Sequence, residues 1–291
     1  MIILADGGST KTQWVVVDNK QTLAKTPTQV APTIVRQIIA KGINPFFQTR
    51  DEIAAEIQEH LMQEIKGFSI DAVYFYGAGC SFPEKNEMVK SAIRQFIDAK
   101  IEVGSDLLAA ARALCGKEPS IACIMGTGSN SCYYDGQTIQ DNVSPLGFIL
   151  GDEGSGAVLG KLLVGDCLKN QLSPELKEKF FAQFELTPAI LLERVYKQAF
   201  PNRFLASLSP FLIQNINDPQ VYALVFNAIK SFFVRNVMQY DYKKYKVHLV
   251  GSIAFYYKDI IQEVTKELGI DLGNIIKSPM EGLIKFHDEN S

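Results

Sequence analysis

The chain has 291 residues, 47% of them apolar, and a formal net charge of −3. That is enough apolar material and length for a large core and for two domains. Lysines and arginines are scattered, which excludes a surface that tracks nucleic-acid phosphates.

The opening stretch, "IILA", then "DGGSTK", then "TQWVVVD", reads as two β-branched strands on either side of a glycine turn. "TLAK" after the Asp18-Asn19 turn extends this to a three-strand meander. The apolar spacing of "TIVRQIIAKG" predicts a helix, and a longer one is expected from Arg50 to Lys66. Strand "DAVYFYGAG", helix "EKNEMVKSAIRQFI", strand "AKIEVG" and helix "DLLAAARALCG" follow. Gly116 and Pro119 in "CGKEPS" mark a boundary, giving an N-terminal domain over 1–115 and a C-terminal domain over 116–291. After it, "IACIMGTGSNSCYYDGQTIQ" repeats the opening layout: strand, Gly-rich turn, strand, Asp-Gly turn, strand. The remainder is helical until "KVHLVGSIAFYYKDIIQEVTKELG", one more strand, turn and helix.

The apolar run "VYALVFNAIKSFFV" is broken by Lys230 before it reaches a spanning length, and Met1–Ala5 is too short for a signal peptide, so no membrane association and a cytoplasmic location are expected. Cysteines 80, 115, 123, 132 and 167 are odd in number and form no CxxC pair, which fits reduced thiols that are mostly small core residues. His60, His248 and His287 have no metal-site spacing and read as helix-surface, strand and tail residues.

A Gly-rich turn at a strand tip presents several backbone N–H groups at once, and adjacent hydroxyls or a lysine add donors for phosphate oxygens. The alternative is a tight turn that needs glycine for positive φ. Two such turns, each opening a similar half, favour phosphate binding: Ser9, Thr10, Lys11 and Thr12 accompany the first, and Thr127, Ser129 and Asn130 the second. Neither is a standard nucleotide motif, since no G-x-x-x-x-G-K-[ST] occurs and Ser131 replaces the third glycine of a dinucleotide fingerprint.

"DGGSTKT", "SDLLAAARALCG", "MGTGSN", "LGFILGDEGSG" and "LVGSIA", in this order, resemble the N-acetylglucosamine kinase-like branch of the BadF/BadG/BcrA/BcrD ATPase family, in the actin, sugar kinase and Hsp70 superfamily. The resemblance implies an α/β fold of two ribonuclease H-like domains, the second with helical additions, with ATP and substrate meeting in the cleft between them. It assigns Asp6 to Mg²⁺, directly or through water, and Gly7, Gly8, Ser9, Thr10, Lys11 and Thr12 to the ATP phosphates, as it does Gly126, Thr127 and Gly128. Gly251 and Ser252 match the adenosine motif, although Ser252 could equally be a plain helix cap. Asp106, opening a helix after "IEVG", becomes the general base toward a sugar hydroxyl; otherwise it is a helix-terminal acid favoured by the macrodipole.

"GINPFFQT" resembles the family's substrate loop, so Asn44 is a candidate sugar contact beside Ser129, Asn130 and Asp152. For Asn44 the plain alternative is a turn, and for Asp152 or Glu153 a helix cap. The implied activity is ATP-dependent phosphorylation of a small amino sugar, N-acetylglucosamine at its 6-hydroxyl, with glucosamine and N-acetylmuramic acid as competitors and a homodimer as a family expectation. A second class is the ATP-driven activator that holds an iron–sulfur cluster between subunits, for which Cys123 is the residue to check. A scaffold or regulator on the same fold ranks behind both, because the candidate base is present.

Overall fold

The computed structural model describes residues 1–8, 11–18 and 32–289. Ser9, Thr10 and the strand expected over "TLAK" lie outside the described residues. The chain divides into two compact units, Met1–Gly116 with Pro279–Ser291, and Lys117–Ser278.

The first unit runs β1 (Ile2–Gly7), β2 (Lys11–Asp18), β3 (Thr33–Lys41), α1 (Arg50–His60), β4 (Ala72–Gly77), α2 (Pro83–Arg94), β5 (Lys100–Ser105) and α3 (Asp106–Cys115). Its sheet order is β3-β2-β1-β4-β5, with an antiparallel meander joined through β1 to parallel β4 and β5. Parallel strands need crossover helices, so both faces are covered and the central strands are apolar throughout. Ile3, Ala5, Trp14 and Phe75 pack with residues of α1 and α2 in one cluster. Ile2, Leu4, Val15 and Tyr76 pack with Ala109 of α3 in another.

The second unit continues with β6 (Ser120–Met125), β7 (Ser129–Tyr134), β8 (Ile139–Asp141) and nine helices: α4 (Gly147–Leu150), α5 (Gly156–Leu168), α6 (Pro174–Phe184), α7 (Pro188–Tyr196), α8 (Pro201–Leu208), α9 (Pro210–Gln214), α10 (Pro219–Arg235), α11 (Ser252–Tyr256) and α12 (Lys258–Leu268). Strand β9 (Val247–Val250) precedes α11, and β10 (Leu272–Ile276) closes the unit. Its sheet, β10-β9-β6-β7-β8, is the order of the first sheet read from the other edge, so the repeated layout in the sequence is a repeated ribonuclease H-like topology. Helices α5 to α10 add a large apolar body containing Phe180, Phe211, Phe232 and Phe233. These are the helical additions.

Two elements differ from the sequence reading. "TIVRQIIAKG" forms β3, not a helix: it pairs with β2 along its length and, as an edge strand, leaves Ile34 and Ile39 exposed. The last helix, α13 (Met280–Asp288), packs on α3 and β1 of the first unit, whereas the sequence division assigned 116–291 to one domain. Gly282 permits the approach, because a Cβ there would lie 2.3 Å from the Ala113 carbonyl oxygen. His287 is therefore no tail residue. It is buried, hydrogen-bonded to the Tyr76 hydroxyl at 2.8 Å, and burial pushes its imidazole down to about 4.

Candidate functional site

In the first unit the site grows from the carboxyl ends of the parallel strands, where open α/β sheets place their ligands. One row of the sheet runs Thr12, Gly7, Gly77, Ser105. The row behind it contains Asp6 and Tyr76. Asp6 thus lies on the α3 face of the sheet, one residue short of the glycine turn. Gly7 has a packing reason: a Cβ would meet the Phe75 ring at 2.7 Å. The hairpin is closed by Gly8 N–H on the Lys11 carbonyl at 2.9 Å, so Asp6 is not needed to cap it. No described residue donates a hydrogen bond to the Asp6 carboxylate. Burial, then the nearby charge of Asp106, push its carboxyl up to about 6, against a smaller opposing pull from Lys11.

Asp106 is the first residue of α3, and the hydroxyl of Ser105 caps that helix by accepting Leu108 N–H at 3.1 Å. One carboxylate oxygen of Asp106 accepts Leu107 N–H at 2.9 Å. Burial raises its carboxyl above the usual range in spite of that bond. Two acids with perturbed titration thus share one end of the sheet. Such pairs are characteristic of sites where protons or cations are handled.

Thr12 plays a different part from the one expected. Its side chain is fully buried and its hydroxyl accepts Ile43 N–H at 3.0 Å, so it braces the loop that presents Asn44 instead of facing the turn's surface. Asn44 Oδ1 accepts Phe46 N–H at 3.0 Å, the turn that the sequence allowed. It also lies against Gly79, where a Cβ would approach it to 2.5 Å. Lys11 is exposed beside the hairpin.

In the second unit the β6–β7 turn holds the second glycine pair. Gly126 N–H donates to the Gly128 carbonyl at 2.9 Å, and the first amides of α5, Gly156 and Ala157, donate to the carbonyls of Gly126 and Thr127 at 2.8 and 3.0 Å. The helix terminus is thereby used up by the turn, and Thr127 and Gly128 N–H are left without a described acceptor. At Gly126 a Cβ would meet no protein atom within 4 Å, so no packing constraint of the unit demands glycine there. Glycine there leaves the backbone open to close approach.

Asp152 stands next to this turn. Its carboxylate accepts Ser129 N–H, a Cβ on Gly128 would lie 3.0 Å from it, and burial pushes it up to about 6. Its backbone is left-handed, φ 53°, a conformation uncommon for a residue with a side chain. Neither Asp152 nor Glu153 caps α5; Ser155 does, accepting Val158 N–H at 3.2 Å. Glu153 is instead bound to Arg235 and Asn236. Ser129 Oγ donates to the Glu153 carbonyl, and Asn130 Oδ1 accepts from Ser131 N–H and from Asn142, so both are tied into the protein.

Gly251 has φ 129°, and a Cβ there would lie 2.4 Å from the Met125 carbonyl oxygen. It is the cap residue of α11, which makes Ser252 the first helical residue and not a side-chain cap.

Among the described residues no group of three or more His, Cys, Asp and Glu could hold a metal. A Mg²⁺ ion does not need one, because it keeps several waters and is commonly held by one or two carboxylates plus substrate phosphates. The donor set fits: Asp6 is a half-buried carboxylate whose ionised form a divalent cation would favour. All five cysteines are buried, Cys123 fully so within β6, as expected of small core residues. Among the described residues no helix is long and apolar enough to cross a membrane.

The sequence reading missed Phe46, two residues after Asn44, and Phe82, whose ring meets that of Phe46; both are half-exposed. Their signal was "NPFF" and "CSFP", apolar residues in loops where water should have favoured polar ones.

No family model matches the chain, and no curated protein matches it. Solved structures do. A candidate N-acetylglucosamine kinase from Porphyromonas gingivalis is 46% identical, with TM-score 0.93, covering 100% of this chain and 99% of that one. A candidate N-acetylglucosamine kinase from Chromobacterium violaceum, 16% identical with TM-score 0.70 over 98% of each chain, shares the fold. So does a ROK family protein from Streptococcus pneumoniae, 10% identical with TM-score 0.53 over 99% and 98%. With its two ribonuclease H-like α/β units and a full-length relative at this identity, the chain belongs to the N-acetylglucosamine kinase-like branch of the BadF/BadG/BcrA/BcrD ATPase family.

Proposed function

We propose that the protein is an ATP-dependent amino sugar kinase that phosphorylates N-acetylglucosamine on its 6-hydroxyl, with Asp106 as general base. The observation that carries this reading is the pair Asp6 and Asp106 at the carboxyl end of one sheet, both raised by burial and differently anchored. Asp106 is fixed through one oxygen by Leu107 N–H, which leaves the other to accept the proton of the attacking hydroxyl. Burial raises the Asp106 carboxyl above the usual range, which makes it a stronger proton acceptor than an ordinary carboxylate.

Asp6 would hold Mg²⁺, directly or through water, and the bound ion would neutralise charge on the terminal phosphates. Each unit has its own candidates for phosphate oxygens: Lys11 with the backbone of Gly7 and Gly8 in the first, and Thr127 and Gly128 N–H in the second. Gly251 and Ser252, at the start of α11, are the candidates for adenosine. The candidates for sugar contacts are Asn44 in the first unit and, in the second, Asn130 and Asp152, the last held by Ser129 N–H. The similarity to the Porphyromonas gingivalis protein supports the substrate class, and the reading carries with it a cytosolic location.

The test is ADP release with ATP and Mg²⁺ against N-acetylglucosamine, glucosamine, N-acetylmannosamine, N-acetylmuramic acid and glucose, with a no-sugar control. Turnover dependent on sugar and highest with N-acetylglucosamine is expected. ADP release indifferent to every sugar would contradict the kinase reading.

A further inference from the structure

Strand β5 is an edge strand of the first sheet, and among the described residues no strand pairs with its outer side. A cavity of about 330 Å³ opens there, lined by residues 101–104 of β5, by Asn86 and Lys90 of α2 and by Leu108 and Arg112 of α3, with neither Asp6 nor Asp106 in its wall. Among the described residues four buried side-chain atoms have no hydrogen-bond partner. Two of them, Glu56 Oε2 and His60 Nε2, face each other at 3.2 Å. The other two, Arg112 Nε and Asn86 Oδ1, both belong to residues that line this one cavity. A buried polar atom without a partner costs stability, so a donor and an acceptor left open at one place call for an occupant that both accepts and donates.

The charge balance of the wall narrows the choice. Arg112 is fixed in place: its Nη1 donates to the Tyr76 hydroxyl at 2.5 Å, and its guanidinium lies 5.7 and 5.1 Å from the centres of the Tyr76 and Phe286 rings. None of these contacts neutralises it. Burial pushes the Tyr76 phenol up to about 12 and, together with the Arg112 charge, the imidazole of His287 behind it down to about 4, so both stay uncharged at neutral pH. The two acids in the wall already have cations of their own: Glu102 lies 2.8 Å from Lys100 and Glu87 3.8 Å from Arg94. Lys90 and Arg112 form no ion pair among the described residues.

Two cations without a counter-charge suit an anionic group, and guanidinium in particular suits phosphate or carboxylate. The open Asn86 oxygen suits a hydroxyl on the same molecule, and Pro83, Val103 and Leu108 give its carbon skeleton apolar contact. The volume limits the occupant to a small molecule. We propose that the cavity at the outer edge of β5 binds a small polyhydroxy anion, its phosphate or carboxylate held by Arg112 and Lys90 and a hydroxyl donating to Asn86 Oδ1. The site lies wholly in the first unit and stands whether or not the kinase reading does. An occupant there ties α2 to α3, the helix that Asp106 opens, and stabilises the first unit by binding its folded form.

The test is titration calorimetry with glycerol 3-phosphate and with gluconate, and with glucitol as the uncharged control, in the presence of ADP, Mg²⁺ and N-acetylglucosamine to occupy the candidate active site. The wild type is expected to bind at least one of the two anions and not glucitol, and the anion that binds tells phosphate from carboxylate. Arg112→Gln is expected to weaken that binding at least about 10-fold, and Lys90→Ala about 3–10-fold. Asn86→Leu, which removes an acceptor that has no partner, is expected to weaken it about 3–10-fold without lowering the melting temperature. Thermal melting checks that each variant folds, and if Arg112→Gln does not, Lys90→Ala decides. Binding of neither anion at millimolar concentration, equal binding of glucitol, or anion affinity unchanged in the folded cation variants overturns the proposal. Sugar-dependent ADP release tests the kinase reading separately.

Discussion

Replacing Asp6 by asparagine should make the ligand-free protein more stable at neutral pH and less active. A carboxyl that titrates at about 6 in the folded chain, against 3.8 ordinarily, is held in its ionised form at a cost. Two pH units correspond to about 3 kcal/mol at pH 7, and partial contact with water reduces this to about 1–2 kcal/mol. The sign follows from linkage. Between about pH 4 and 6 the folded protein binds more protons at Asp6 than the unfolded chain does, so stability falls as pH rises through that window and the penalty is complete above it. Asparagine has no such penalty. Calorimetric melting of both proteins without Mg²⁺ or ATP should therefore show little difference near pH 4 and a difference that grows through pH 6, with the variant melting a few degrees higher at pH 7. Asp152 titrates in both proteins, whereas Asp106, whose charge repels that of Asp6, is relieved of this repulsion in the variant, so the difference reports the Asp6–Asp106 pair. Added Mg²⁺ and ATP should stabilise the wild type more than the variant. A variant that melts lower at pH 7, or a difference independent of pH, would refute the reasoning.

Gly126→Ala should leave the melting temperature unchanged, because its Cβ meets no protein atom, yet raise the KM for ATP at least several-fold in steady-state kinetics. Gly160→Ala provides the contrast: its Cβ would come within 1.9 Å of the Leu205 carbonyl where α5 crosses α8, so denaturant unfolding should show a loss of about 1–3 kcal/mol or more. Ser155→Ala removes the cap of α5 beside the second glycine turn and should cost about 1 kcal/mol in the same assay.

The parts of this fold that rest on local pattern were legible in the sequence. The strand, Gly-rich turn, strand pattern around Asp6-Gly7-Gly8 and again around Gly126-Thr127-Gly128 announced two hairpins, and their likeness announced the repeated topology. What was lost depends on distant partners. In "TIVRQIIAKG" the apolar residues at 34, 35, 38 and 39 mimic a helical stripe, but pairing with β2 decided the outcome and edge position tolerated the exposed isoleucines. Strand β10 hides because Gly273 and Asn274 interrupt it: the glycine makes room for the His248 ring, and the register shifts there. Helix α13 belongs to the first unit through its contacts with α3 and β1, a relation no local window contains.

At the site, Asp6, Asp106, Asp152 and the glycines were readable as residue types in turns. The bracing role of Thr12 and the commitment of Asn44 Oδ1 were not, since both are decided by which amide a folded loop brings to the side chain.

On the proposed mechanism Asp106 takes the proton of the sugar hydroxyl. The direct measurement is kcat of Asp106→Asn with N-acetylglucosamine, ATP and Mg²⁺, alongside calorimetric affinities for sugar and nucleotide. Asparagine still accepts Leu107 N–H through its Oδ1, so the start of α3 is retained. A kcat about 10²–10⁴-fold lower is expected, with both affinities within a few-fold of wild type. A variant that phosphorylates the sugar at the wild-type rate would contradict it.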